Sequence, residues 1–327
     1  MSHVIVTAPG QRRLWSTARW AAVGAVPLLL AWLLWRPEAA LTTLWYLVVP
    51  ILPATFFLTP ALWRGICPLA TLNEWGNRIG RPRPLPAPVA TALGVGGLVL
   101  FHLMVPARRF LFNEQGPVLA ATIAAVGALA LVLGALFEVR SAFCNALCPV
   151  LPVELLYGQQ PLVQLTRGRC ATCTTCTSRG CIDLAQIRAL PQVLGASRRS
   201  AAWLAHPFGM FWAALPGFII GYGLLTDGPL ASAPTVYLTT LGGSLLSVAV
   251  VAVAVLTLRI PTAMALGLVA AAAGVAYYWF AGPAISRELG AGIALSHGIR
   301  GLGIGLVAFW LWRSLAGRGK AGELQSA

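Results

Sequence analysis

The sequence predicts an all-α fold: a polytopic membrane helix bundle of about eight transmembrane helices with a small cytoplasmic loop domain rich in cysteine. Three observations predict it. The 327 residues are 58% hydrophobic and only 10% charged, with mean hydropathy +0.77, whereas soluble domains carry about 25% charged residues. Eight apolar segments are each long enough, at about 20 residues, to span a bilayer. The 23 basic residues, all arginine except Lys320, gather at the ends of those segments. A net charge of +14 could indicate nucleic acid, but basic residues placed this way read as a topology signal and as attraction to anionic lipid.

The first segment, 18–35, follows Arg12 and Arg13 and has no small-residue cleavage site before Trp35-Arg36-Pro37. It therefore reads as a transmembrane helix and not as a signal peptide. The second, 41–63, contains Pro50 and Pro53, which should kink it. A loop from Arg64 to Pro88 leads to the third and fourth segments, 88–106 and 117–137. One long insertion, 138–202, holds six of the seven cysteines and precedes the segments 203–225, 235–257, 261–281 and 290–312. The chain thus divides into a four-helix region 1–137, a cytoplasmic segment 138–202 and a second four-helix region 203–327. Trp15, Trp20, Trp35, Trp63, Trp203 and Trp312 fall near the expected interfaces, as an aromatic belt requires.

Orientation follows from the basic residues. With the N-terminus inside, 18 of them lie on the cytoplasmic side, four (Arg36, Arg108, Arg109 and Arg287) on the other, and Arg300 within the last helix. The positive-inside rule then places both termini and every cysteine-bearing loop in the cytoplasm.

Four cysteines lie within twelve residues, as Cys170-x2-Cys173-x2-Cys176-x4-Cys181. Thiolates at this spacing on a turning backbone converge on one metal centre, in the manner of ferredoxin ligation of a 4Fe–4S cluster. Zinc sites more often use two separated C-x2-C pairs, and the reducing cytoplasm disfavours disulfides.

The remaining three cysteines belong to an internal repeat. One junction reads Trp63-Arg-Gly-Ile-Cys67-Pro68 and the other Phe143-Cys144-Asn-Ala-Leu-Cys148-Pro149. Aligning Cys67 with Cys148 leaves Trp63 where the paired cysteine would stand. A proline after the cysteine stops a helix and turns the chain, so both cysteines are expected at the cytoplasmic membrane surface. Packing alone would allow buried cysteines at helix ends; the repetition favours a site.

A C-x3-C-P motif at a transmembrane helix end, followed by a ferredoxin-like cysteine run, resembles the membrane-bound polyferredoxins. That group includes the membrane ferredoxin of periplasmic nitrate reductase systems, the membrane regulator of nitrous oxide reduction and the accessory protein of cbb3-type oxidase assembly. The similarity covers about residues 40–190 and departs from the family in its x4 step, in Ile182 where proline is usual, and in having a single run. It implies a multi-pass bacterial inner-membrane protein whose cytoplasmic 4Fe–4S clusters exchange electrons with a quinone or an outer-face partner.

Seven cysteines do not complete two four-cysteine clusters. In one assignment Cys170, Cys173, Cys176 and Cys181 hold one cluster, and Cys67, Cys144 and Cys148 form a three-thiolate site. In another, Cys181 joins the membrane trio, as the fourth cysteine does in two-cluster ferredoxins. Asp183 or water could supply a missing ligand.

His102 and His297 fall within predicted helices, ~9 Å and ~14 Å from the outer surface at 1.5 Å rise per residue. An intramembrane ionisable residue suggests a functional site, here a b-type haem or a quinone site with Arg300 one turn beyond His297; interhelical hydrogen bonding is the simpler alternative. His206 is expected to cap or anchor the fifth helix, and the glycines of Gly301-Leu-Gly-Ile-Gly305 to pack the eighth within the bundle.

The expectation is an electron-transfer subunit in place of a stand-alone enzyme, taking electrons from a soluble donor or a partner redox subunit. The alternatives are an iron–sulfur assembly or regulatory accessory protein, and a transporter with a redox- or zinc-binding loop. No nucleic-acid partner is expected.

Overall fold

The computed structural model describes residues 3–6, 9–167, 190–191, 193–195, 197 and 201–323. Among them the architecture is an α-helical multi-pass bundle, as the sequence predicts. Seven stretches are long and apolar enough to cross a membrane: Leu14–Trp35, Pro37–Leu58, Ala87–Ala107, Gly116–Leu136, Leu230–Leu258, Thr262–Glu288 and Ile293–Ala316. The helices are α1 Pro9–Trp35, α2 Pro37–Thr43, α3 Val49–Leu58, α4 Pro60–Ile66, α5 Pro68–Ile79, α6 Ala87–Ala107, α7 Gly116–Leu136, α8 Leu151–Gly158, α9 Pro207–Gly223, α10 Ala233–Leu258, α11 Thr262–Glu288 and α12 Ile293–Glu323. The predicted fifth span is α9, which is short and buried continuously from Phe211 to Phe218. It is the axis of the C-terminal half, with α10 and α11 packed on it.

Contacts between connections define two faces. On one, Gly116 lies against Leu33 and Pro37, Arg108 and Arg109 both pair with Asp227, and Thr42 donates to Glu288. The other carries Arg78, Arg81, Arg83 and Arg259 and is called here the arginine-rich face. A short parallel ladder pairs β1, His3–Val6, with β2, Gln164–Arg167. It was not expected from the sequence, and it ties the N-terminal segment to the start of the insertion.

The second span is not a continuous kinked helix. A π turn, Leu44–Val48, precedes α3, in which the Val49 amide donates to the Leu44 carbonyl just before Pro50, a residue with no amide hydrogen to donate. The chain then breaks at Thr59, whose backbone is extended, before α4 begins at Pro60.

Residues 64–88 and 138–163, expected as surface loops, are largely folded into the bundle. Helix α5 runs alongside the second half of α7, with Leu72 at Gly127 and Gly76 at Leu131. The two backbones touch: a Cβ on Gly76 would stand 1.9 Å from the Leu131 carbonyl oxygen, and one on Gly134 would stand 2.0 Å from that of Asn73. Asn73 and Asn77, which make α5 look like loop by composition, donate to the α7 carbonyls of Ala130 and Gly134 at 2.8 and 3.3 Å. Residues 143–147 form a π turn against the centre of α6, where Gly97 faces the carbonyls of Ala146 and Leu147. Helix α8 is buried along its length. The Trp212 indole donates to the Pro152 carbonyl at 2.7 Å and the Tyr157 hydroxyl to that of Ala270 at 3.1 Å. Phe57, Leu155, Leu156, Tyr157, Trp212 and Trp310 meet in one large core.

The α5–α7 contact generates a prediction. Gly134→Ala forces backbone apart where no side chain can yield, so it should destabilise the protein by about 1–3 kcal/mol, read as a lower melting temperature in detergent. Gly298→Ala, at an outward-facing position with open space around it, should leave the melting temperature unchanged.

Candidate functional site

The two Cys-Pro turns have the same local geometry. Cys67 has φ −57° and ψ 122°, and Cys148 has φ −58° and ψ 120°. Each ends one helical element: Cys67 also caps α5, its carbonyl accepting from the Thr71 amide at 3.3 Å, whereas the Cys148 carbonyl accepts from the Leu151 amide at 3.1 Å in a turn that leads to α8, capped at Val150. The repeat read from the sequence is therefore a repeat in structure at these residues.

The elements before the cysteines differ by one residue. The Cys67 amide bonds back to Trp63 at 2.9 Å, an α-helical step, whereas the Cys148 amide bonds to Phe143 at 2.8 Å, a π step. Counting back from the cysteine, Trp63 thus matches Phe143, and Cys144 lies within a turn that is one residue longer. This corrects the alignment of Trp63 with Cys144. Single π turns inside membrane or soluble helices are frequent at functional sites, and here the lengthened turn carries a cysteine.

Depth is the second correction. The turns are not at a membrane surface but about midway along the spanning helices. Cys67 and Cys144 share an apolar cluster with Ala70, Ala130 and Phe143, bordered by Val126, Leu133 and Leu147. Cys148 packs against the larger core. Gly97, at the centre of α6, and Val126, at the centre of α7, mark that level. Proline after cysteine does stop the helix, as read from the sequence, but the stop occurs inside the bundle.

Charged side chains accompany the thiols. Arg64 is buried and donates to Glu154 at 2.7 Å, to the Asn145 side-chain oxygen at 2.7 Å and to the Cys144 carbonyl at 3.3 Å. Arg140 donates through its side chain to Glu74 at 2.7 Å, and its backbone amide donates to Asn73 at 2.7 Å. Arg19 of α1 also pairs with Glu74 and donates to Thr71 at 2.7 Å. Exposure rises along this set, from 2% and 5% for Glu154 and Arg64 to 14% and 18% for Glu74 and Arg19. The set runs from mid-bundle toward the arginine-rich face.

All three cysteines are free thiols. Among the described residues, no three His, Cys, Asp or Glu side chains converge on a position for a single metal ion.

The other sequence candidates are placed apart. Cys170, Cys173, Cys176, Cys181 and Asp183 lie outside the described residues. His102 Nδ1 is 2.9 Å from the Leu98 carbonyl oxygen of its own helix, with its ring among Phe101, Phe211 and Phe218. His297 is exposed on the outside of α12. Arg300 donates to the Trp279 carbonyl at 2.9 Å and lies over that indole. The structure does not assemble His102, His297 and Arg300 into one site. His206 caps α9 by accepting from the Phe208 amide at 3.3 Å, and burial lowers its pKa, which favours the neutral ring that such acceptance requires. Gly298, Gly301 and Gly305 face open space, so only Gly303, against Tyr278, packs within the bundle as expected. On the face opposite the arginines, a cavity of about 610 Å³ is lined by Glu38, Glu114, Asp227, Glu288, Arg108 and Tyr46, among others.

Sequence reading missed Arg64, Glu74, Arg140 and Glu154 as site residues. Scarcity was the available signal. The chain has nine acids, and two of them follow the Cys-Pro cysteines by seven and six residues.

Comparison with protein-family models, with curated proteins and with solved structures finds no match to this chain.

Proposed function

We propose that the protein is a membrane-embedded electron-transfer protein of the polyferredoxin type. In this reading Cys170, Cys173, Cys176 and Cys181 hold a 4Fe–4S cluster, and Cys67, Cys144 and Cys148 provide a second, three-thiolate site inside the bundle. The observation that supports the reading is a pair of Cys-Pro turns of near-equal backbone geometry inside an apolar bundle, with Cys67 and Cys144 in one apolar cluster.

The donor set suits such a centre. Soft thiolates select iron–sulfur clusters, zinc or Cu(I) over hard cations. The absence of a single-ion site among the described residues is compatible with a cubane, which holds its cysteine sulfurs farther apart than the ligands of one ion. Buried thiols would be protonated at neutral pH, and metal binding would release those protons. When bound, a cluster supplies one-electron redox capacity. The residues of the chain do the rest: α5 and α8 hold the turns, Arg64 and Arg140 supply compensating charge, and the surrounding core excludes water.

In the same reading the arginine-rich face is cytoplasmic, in a bacterial inner membrane. A soluble donor or partner redox subunit would meet the loop cluster there, and a quinone or outer-face acceptor would complete the path. A haem on His102 and His297 is not part of the proposal, because those residues are apart. The transporter alternative gains one observation: helices broken at mid-membrane, which many transporters use to build substrate sites.

Two measurements test the proposal. Protein purified anaerobically should contain iron and acid-labile sulfide and give a reduced 4Fe–4S EPR signal, which Cys173→Ser or Cys176→Ser abolishes. Stoichiometric zinc without sulfide would refute it. Reporter fusions near Gln192 and at both termini should be active only as cytoplasmic fusions; a periplasmic signal at Gln192 would reverse the electron path.

A further inference from the structure

We propose that Arg64 is a positioning residue of the three-thiol site, a side chain that holds the π turn bearing Cys144 against the first Cys-Pro turn. The assignment rests on the proposed reading of that trio as one centre.

The geometry is specific. Arg64 lies three residues before Cys67, in the last turn of α4. Its guanidinium reaches the second repeat at three points: the Cys144 carbonyl and the Asn145 side chain in the π turn, and Glu154 on α8. These partners flank Cys148 on both sides. One guanidinium therefore fixes the separation between the first Cys-Pro turn and the second. A planar fork suits this role, because it presents several donors in a fixed arrangement and keeps its charge when buried. The side chain is 5% exposed and its carboxylate partner 2%, so neither is held there by solvent.

The lengthened turn makes such a brace necessary. A π turn is rare and local, and at this one the Cys144 carbonyl points to Arg64. Without that donor the carbonyl would be unpaired among apolar neighbours, and an α-helical step would become competitive. That step would rotate Cys144 away from Cys67. Arg140, by contrast, bonds to α5, through its side chain to Glu74 and through its amide to Asn73.

The experiment separates positioning from folding. Replacing Arg64 alone would strand Glu154 in the core, which typically costs about 3–5 kcal/mol. The primary variant is therefore Arg64→Met with Glu154→Leu, which removes both charges together. Arg64→Lys keeps the charge and loses the fork. Full-length proteins are purified anaerobically in detergent, and three quantities are read: melting temperature, iron with the EPR midpoint potentials, and the diamide-induced disulfide between Cys67 and Cys144 in metal-free protein.

The double variant should melt like the wild type and keep the loop-cluster signal, while its iron falls to the level of Cys67→Ser. Its disulfide yield should fall at least fivefold. Arg64→Lys should lower that yield at least twofold. Wild-type iron, potentials and disulfide yield in a folded double variant would overturn the assignment. If the double variant does not fold, an unchanged yield in Arg64→Lys overturns it and a reduced yield supports it. If the wild type itself holds no iron beyond the loop cluster, the metal reading of the trio fails, and the disulfide measurement alone decides the role of Arg64.

Discussion

Backbone that leaves a helix inside an apolar bundle must find hydrogen-bond partners there, because lipid supplies none. The N-terminal half of this protein is arranged around that constraint. The chain stops being regular helix at Thr59, at Cys67 and across 137–150. Beside Thr59 the carbonyls of Phe57 and Leu58 accept from the backbone amides of Leu162 and Val163, and polar side chains from other elements serve the 137–150 stretch. Arg64 takes the Cys144 carbonyl. Asn73 bridges the Ala130 carbonyl and the Arg140 amide, and Asn77 takes the carbonyls of Gly134 and Phe137. Arg140 itself sits in the left-handed region at φ 61°, a conformation that costs a side-chain-bearing residue energy. Its backbone and side chain are both bonded into α5, which is what holds it there. The bonds cross between repeats: Arg64 of the first reaches the second, and Arg140 of the second reaches the first.

This crossing explains why the repeat is recognisable at the cysteines and not elsewhere. Two copies that brace each other do not need the same bracing residues. The position matching Glu154, six residues after its cysteine, is Asn73 in the first copy; one copy uses an ion pair and the other an amide. The copies also differ in their approach to the cysteine, by α-helix in one and by the longer π turn in the other. A gap-free alignment hides that difference.

The spans were legible because twenty apolar residues have few uses outside a bilayer, and the eight predicted segments correspond to helices or helix groups here. The depth of the Cys-Pro turns was not legible. Hydropathy averages over a window, so a helix that ends at the surface and one that breaks midway and continues as a separate helix read alike. Helix α5 illustrates the problem. Its Asn73, Glu74 and Asn77 lower its hydropathy to that of a loop, yet those residues are what allow it to lie against α7. In the same way α8, at eight residues, is too short to register as a span, although Leu155, Leu156 and Tyr157 place it in the core. The histidines misled for the opposite reason. An intramembrane histidine draws attention by type, but His102 is served by its own helix, and His297, the fifth residue of α12, lies near the end of the span.

Charge gives the arrangement a direction. Arg64 pairs with Glu154, and Arg19 and Arg140 both pair with Glu74. Deprotonated thiols would be too costly in an apolar pocket without a cation to meet them, and on the proposed reading these guanidiniums would lower the cost of burying a metal–thiolate centre. The graded exposure of the charged set opens it toward the arginine-rich face, while Phe101, Phe211 and Phe218 pack between α6 and α9 on the way to the opposite one. On the proposed reading, protons released or taken up at the thiols would therefore exchange with the arginine-rich side, and only electrons would have a short route onward through the packed rings.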